Sequence, residues 1–438
     1  MGRKSHTRTL YCSMNGFPVG KLYLKKGRMS FEYTREWLEV EGARAISLSL
    51  PMQRAEIVDD AVHAYFDNLL PDSAAIREHI KDRLGANSAK PFDLLAKVGK
   101  DCVGALTFTK EPATGEMPSL SLTPLSEAEV AQIIRETRFE KMLGMNSDDD
   151  FRISLAGAQE KTALTRWKDE WCRPHGSTPT THIFKPPILH HESLGIDLSS
   201  SVDNEWFCQR FMKNLDMDVA KCEIARFEDQ KVLIVERFDR RVDDDNIFRL
   251  PQEDICQALG KVSSSKYEEK GGPSSQQVMD LLSGSSSAYE DRLEFLRVQI
   301  VYWLLAAIDG HGKNFSIALN QNGYRLAPFY DVLSAYPYFG QGNIQAKKIK
   351  MAMKVHSKNT HYKWNEIMPR HWPEHGRRQG IDKDQTLATM ASLDEKVEFA
   401  LNTTLKEANE LFDTTVGEVI TERTLTCLNK ITRFLNGQ

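Results

Sequence analysis

The chain has 438 residues, 41% of them hydrophobic and 27% charged, with a formal net charge of −4. This length carries two or three domains with a large core, and the composition is ordinary for a soluble globular protein, so overall charge argues neither for nor against nucleic acid. The seven cysteines are odd in number and form no C-x-x-C pair, which points to reduced thiols in a cytoplasmic protein and excludes a disulfide framework or a zinc site.

The first residues, MGRKSHTRTLYCSMNG, are basic but lack the apolar run of a signal peptide. Residues 9–50 alternate like β-strands, with turns at Asn15-Gly16 and Lys26-Gly27. A helix follows over 61–70, and Pro71-Asp72-Ser73 opens another that runs to about Arg83. The three-proline segment 110–124 closes an N-terminal domain, giving an expected first division at residues 1–115. An amphipathic helix is expected over 125–144, a strand–loop–strand over 150–167, and a short strand at THIFKPP (181–187). A helix over 200–215 and a strong strand over 231–241 complete an expected second division, 125–240. From Gln252 onward the pattern is almost wholly helical apart from polar loops such as 263–275, so 241–438 is expected to be a helical lobe. The apolar run VQIVYWLLAAI (298–308) is too short to span a bilayer and reads as the buried half of a helix over 291–308.

That helix ends at IDGHGKNFS (308–316), where Asp309 is followed by Asn314 at the D-x-x-x-x-N spacing of kinase catalytic loops. Asp331, directly after an aromatic pair, stands where such enzymes place a second metal ligand. Phosphoryl transfer needs one carboxylate free for the nucleophile while other oxygens hold Mg²⁺ against the phosphates of ATP. Upstream, Lys185 ends a strand and Glu205 follows on the next helix, as in the kinase lysine–glutamate pair; a surface lysine is the plainer reading of the strand end alone. The segment Ala156-Gly157-Ala158-Gln159-Glu160-Lys161 has small residues that let backbone N–H groups approach phosphate, and a tight hairpin explains it as well. VERFDRR (235–241) reads either as a backbone edge for adenine or as a strand end with solvated arginines. His311 reads as a loop-orienting histidine, since no other metal-type ligand falls at suitable spacing. The segment 345–380 carries nine cations against two carboxylates, +7, with Tyr362, Trp364 and Trp372 interleaved. This suggests a polyanion-facing patch, against a solvated helical face.

Together these stretches resemble the HipA kinases, toxins of bacterial type II toxin–antitoxin modules. The resemblance runs through SLSLPMQ (47–53), FDNLLPDS (66–73), PFDLL (91–95) and VGALTF (103–108), then DFRISLAGAQEKTAL (150–164), THIFKPP (181–187) and SVDNE (201–205). It continues in VERFDRR (235–241), LPQED (250–254), DGHGKNFS (309–316) and PFYD (328–331). It implies an α+β, two-lobed protein-kinase-like fold with an additional N-terminal α/β subdomain and a mostly helical C-terminal lobe. By the same resemblance Asp309 is the catalytic base, Asn314 and Asp331 bind Mg²⁺, and Lys185, paired with Glu205, contacts ATP. The loop 156–161 covers the phosphates, Glu236, Arg237 and Phe238 face adenine, and His311 and Lys313 complete the ATP site. Ser154 matches an autophosphorylated serine whose modification silences the kinase. The implied partners are a HipB-like dimeric helix-turn-helix antitoxin, operator DNA, and an aminoacyl-tRNA synthetase, glutamyl-tRNA synthetase, as substrate; the charge of the segment 345–380, apart from the resemblance, would set Lys358, Arg377 and Arg378 on the DNA backbone. The rival readings are a small-molecule kinase with the same Asp–Asn–Asp chemistry and a catalytically dead corepressor.

Overall fold

The computed structural model of the chain describes residues 7–139, 159–188, 196–342 and 344–437. The chain gathers into two compact units: residues 1–184 with 236–266 and 317–323, and residues 185–235 with 267–316 and 324–438.

The first unit opens with an antiparallel sheet whose strands run Arg28–Tyr33, Phe17–Lys25, Arg8–Met14, Leu106–Thr109 across its width. Two-residue turns set its register. Asn15-Gly16 and Lys26-Gly27 all have left-handed φ, between 48° and 87°, the geometry that matches the twist of a tight hairpin. Leu10, Val19, Leu22 and Phe31 face a core shared with Phe66, Leu94 and Leu95 of the helices Asp60–Asn68 and Pro91–Val98. Ser73 caps the helix Ala74–Leu84, its hydroxyl accepting from the N–H of Ile76.

A second antiparallel set in this unit pairs Leu122–Pro124, Glu170–Pro174, Thr162–Trp167 and His182–Lys185 in that order. Between these sets lies a buried ionic cluster. Arg237, Arg240 and Arg249 meet Asp101 and Asp239, all five buried. Further donors of Arg237 and Arg240 reach the carbonyls of Cys102, Gly104 and Thr180, which helps make such burial tolerable. Burial alone would raise the Asp239 carboxyl; Arg237 and Arg240 hold it down to about 2. Of the VERFDRR arginines that the strand-end reading leaves solvated, Arg237 and Arg240 are thus structural, and Arg241 is exposed.

In the second unit the helix Ser201–Asn214 packs against Lys383–Lys406 and Thr414–Asn436, and the hairpin Cys222–Phe227/Gln230–Glu236 lies beside it. The helix Ala288–Leu304 forms its core. The region after Gln252 is less helical than its sequence suggests. Strands occur at Ser316–Asn320, Gly323–Leu326, Lys350–His356 and Thr360–Lys363, where alternation within four to seven residues decides the local structure although long helices surround it. The seven cysteines are thiols outside any disulfide, and no described helix is long and apolar enough to cross a membrane.

Candidate active site

The helix Ala288–Leu304 delivers the central loop. Ile300, Val301, Trp303 and Leu304 are fully buried, so the helix end is fixed by core packing. It stops at Leu304 and not at Ile308. Ala306 takes a left-handed φ of 49°, and the N–H groups of Ala307 and Ala306 donate back to Tyr302 (2.8 Å) and Trp303 (3.2 Å). This is the stop that a glycine usually provides, and an alanine in its place gave no sequence signal. Side chains from a later segment satisfy the exposed helix carbonyls: Tyr336 donates to Leu304 at 2.7 Å and Ser334 to Leu305 at 2.6 Å. Asn204 grips Ser334 through both its backbone N–H and its carbonyl, each at 2.8 Å. One set of caps therefore ties the segment carrying Asp331 both to the helix that delivers Asp309 and to the helix that carries Glu205.

Within the loop, the Asp309 carbonyl accepts from the His311 N–H at 2.8 Å and from the Asn314 side-chain amide at 2.9 Å. The nitrogen of that amide is thus committed, and its oxygen is the end left for a ligand. A Cβ on Gly310 would come within 2.6 Å of the Tyr302 ring, so the turn requires glycine. Phe315 is buried against Phe295 and Tyr302. The Tyr330 phenol donates to the Lys313 carbonyl at 2.8 Å. Asp331, next in the chain, has φ 59°, a conformation costing a non-glycine residue about 1–2 kcal/mol. It persists because Phe329 is locked by bridge hydrogen bonds to Asp218 (2.9 Å) and Ala220 (2.8 Å). Strain of this kind collects at functional positions.

Lys185, at the end of its strand, is buried between two carboxylates: its ammonium lies 2.7 Å from Glu205 and 2.8 Å from Asp331. Burial pushes the ammonium down, and Asp331 and Glu205 more than reverse this, holding it charged above its usual range. Gln209 donates to the same Glu205 oxygen at 2.8 Å. The lysine strand, the glutamate helix and the aspartate after the aromatic pair therefore meet. Asn314 and Asp331 offer hard oxygen donors suited to Mg²⁺. Among the described residues no group of three His, Cys, Asp or Glu could hold a metal. A Mg²⁺ ion held by Asn314 and Asp331 would take its other ligands from nucleotide phosphates and water, its usual manner of binding.

His311, Lys313 and Asn314 are buried, whereas the Asp309 side chain is 60% exposed. Tyr267 donates to Asp309 at 2.5 Å. Its segment reads from sequence only as a polar loop, and no motif marks it.

The first unit holds Lys161, which is buried, and Gln159 and Glu160 before it. Ser154, Ala156, Gly157 and Ala158 lie outside the described residues. Glu236 is exposed and Phe238 half-buried. Arg237 has no such freedom. Its N–H donates to Thr181 at 2.9 Å, and its guanidinium is consumed in the ionic cluster, so the expectation that it faces adenine does not suit it.

The basic segment is a β-hairpin and a short helix, Trp372–Arg378, not one helical face. Trp364 and Trp372 are core residues, buried and unable to stack on bases. Glu268 and Glu269, from outside the segment, pair with Lys354 and Lys350. Arg377 and Arg378 share Glu374, which they hold down to about 2. Lys358 and Arg370 make no ion pair among the described residues, and with His361, His371 and Arg378 they line a cavity of about 630 Å³.

The family described as HipA N-terminal domain matches residues 10–109, and the HipA-like C-terminal domain matches residues 153–401. The chain is 31% identical over 396 residues to the Sinorhizobium fredii protein Y4mE, named as a kinase, covering 89% of each. It is 29% identical over 351 residues to the serine/threonine-protein kinase toxin HipA of Shewanella oneidensis, covering 76% of each. A Shewanella oneidensis HipA structure, solved with HipB and its operator DNA, matches with TM-score 0.80 at 24% identity over 98% of both chains. With its α+β kinase-like fold and a Lys–Glu–Asp ionic cluster beside a D-x-x-x-x-N loop, the chain belongs to the HipA family of serine/threonine-protein kinases.

Proposed function

We propose that this chain is the toxin kinase of a toxin–antitoxin pair, transferring the γ-phosphoryl group of Mg²⁺-ATP to a serine or threonine of a protein. The observation that carries this reading is the Lys185 ammonium held between Glu205 and Asp331. When bound, Mg²⁺-ATP would supply the phosphoryl group and the metal charge that offsets its oxygens. Lys185 would hold phosphate oxygens, and the Asn314 amide oxygen and the Asp331 carboxylate would hold Mg²⁺. Asp309 would orient the acceptor hydroxyl and take its proton. The loop 156–161 would cover the phosphates and the backbone at Glu236 and Phe238 would face adenine. Ser154 would be the off-switch, because a phosphate adds about −1.5 to −2 charges next to the run Asp148–Asp150.

By its likeness to HipA, the chain would pair with a dimeric helix-turn-helix antitoxin and share operator DNA with it. Lys358, Arg377 and Arg378 would lie on the DNA backbone. An aminoacyl-tRNA synthetase, glutamyl-tRNA synthetase first, is the proposed substrate. The test is phosphotransfer to that synthetase beside small-molecule acceptors, with ATP binding measured separately. Asp309→Ala should abolish transfer and keep nucleotide affinity, while Asp331→Ala should lose both. Transfer only to small acceptors would replace the protein-kinase reading, and full affinity in Asp331→Ala would remove the metal assignment.

A further inference from the structure

The carboxylate that the proposed mechanism makes the base is poorly held by packing. The Asp309 side chain is 60% exposed, so burial does not select its rotamer. Its Oδ2 lies 4.0 Å from His311 Nε2, beyond hydrogen-bond reach. Among the described residues one donor reaches the carboxylate: the Tyr267 phenol, 2.5 Å from Oδ1.

Tyr267 is itself well fixed. Its ring meets the buried His311 ring edge-on at 4.9 Å, and the Lys270 ammonium lies 5.7 Å from its centroid. Its carbonyl accepts from the N–H groups of Lys270 and Gly272, both at 2.9 Å. The two following glutamates anchor the turn to the strand Lys350–His356. Glu268 accepts from the Lys354 N–H at 2.7 Å, and Glu269 pairs with Lys350 at 2.6 Å. The same strand holds the catalytic loop from its other end, because the Ala352 N–H donates to the Ile308 carbonyl at 3.0 Å. One strand thus carries both the phenol and the residue before Asp309, and the hydrogen bond between them closes a rigid frame.

We infer that Tyr267 is a positioning residue for phosphotransfer: its phenol holds Oδ1 of Asp309 and leaves Oδ2 as the oxygen that receives the acceptor proton. The inference rests on the reading of Asp309 as the base. Holding a reacting group within a fraction of an ångström of its productive place is worth up to about 100-fold in rate, and an exposed carboxylate without a donor has no such hold.

The test compares the full chain carrying Tyr267→Phe, which keeps the ring against His311 and removes only the hydroxyl, with wild type and with Asp309→Ala. ADP release is followed at saturating ATP, together with the KM for ATP and the thermal midpoint. Tyr267→Phe should lower kcat about 10- to 100-fold, with KM for ATP and midpoint unchanged. Tyr267→Ala, which also loses the ring, should lower kcat at least as far. A fall in the midpoint or in nucleotide affinity that accounts for the loss would make Tyr267 merely structural and overturn the inference. A rise in kcat would overturn it too, showing that the phenol blocks the acceptor's place. Unchanged kcat in Tyr267→Phe with an inactive Asp309→Ala overturns this inference alone, whereas an active Asp309→Ala removes the base assignment and this inference with it.

Discussion

An ammonium between two carboxylates is the residue-scale fact on which the site depends. Lys185 and Glu205 are both buried, while the Asp331 side chain is about one-third exposed, at 34%. The two partners of the lysine therefore respond differently when it is removed. Lys185→Met leaves Asp331 able to regain water but takes the lysine's charge away from the buried Glu205, which keeps the Gln209 amide as a donor, and removing one partner of a buried pair costs about 3–5 kcal/mol. Adding Glu205→Met removes the glutamate's charge as well and should recover much of the loss, although neither variant should bind nucleotide normally. Urea unfolding of the two single variants and the double variant measures the coupling. Strictly additive losses would show that the pair contributes no more than two separate packing contacts.

At the scale of elements, the helix Trp372–Arg378 is fastened by His375, which is fully buried. Its Nδ1 accepts from the His356 N–H at 3.0 Å, so Nε2 carries the proton and donates to Gln299 at 3.1 Å. Burial, helped by His356 and Arg378, pushes this imidazole down to about 3. Above the unfolded value of about 6.5 the ring is neutral in both states and its contribution is intact. As pH falls through 6.5, the unfolded chain binds a proton that the folded chain refuses until about 3. Stability should then fall by about 1.4 kcal/mol per pH unit from this group. Denaturant melts at pH 7 and pH 5 should show a smaller loss in His375→Gln than in wild type, and an equal loss would clear the histidine of that role.

The same scale shows what could be read from the sequence. Turns such as Asn15-Gly16, the Ser73 cap and the helices bearing Glu205 and preceding Asp309 follow local rules, and the structure has them. Helix Ala288–Leu304 ends early because an alanine takes a glycine's place, which no pattern announces. Arg237 and Arg240 looked like solvated ends because their partner Asp101 lies well over 100 residues away. Tyr267 was missed for the same reason: only folding sets it beside Asp309.

For the whole molecule, a net charge of −4 coexists with a cationic hairpin-and-helix region, and electrostatics there depends on which cations are already paired. Arg377 makes two hydrogen bonds of 2.8 Å to Glu374, so moving it onto a phosphate means giving up a partner. Lys358 makes no ion pair among the described residues and lines the cavity with Arg370. His371, pushed down to about 4 by burial, His361 and Arg370, adds no charge at neutral pH. If the antitoxin complex meets operator DNA on this face, Lys358 is the residue whose counterion exchange the binding should register. Lys358→Ala should weaken binding evenly across DNA sequences and reduce the slope of log K against log salt by about one unit. Arg377→Ala should change it less, because its guanidinium charge is already paired with Glu374. Titrations of the assembled complex at several salt concentrations decide the matter. An unchanged slope in Lys358→Ala would show that the cavity faces solvent in the DNA complex and that affinity for phosphate resides elsewhere.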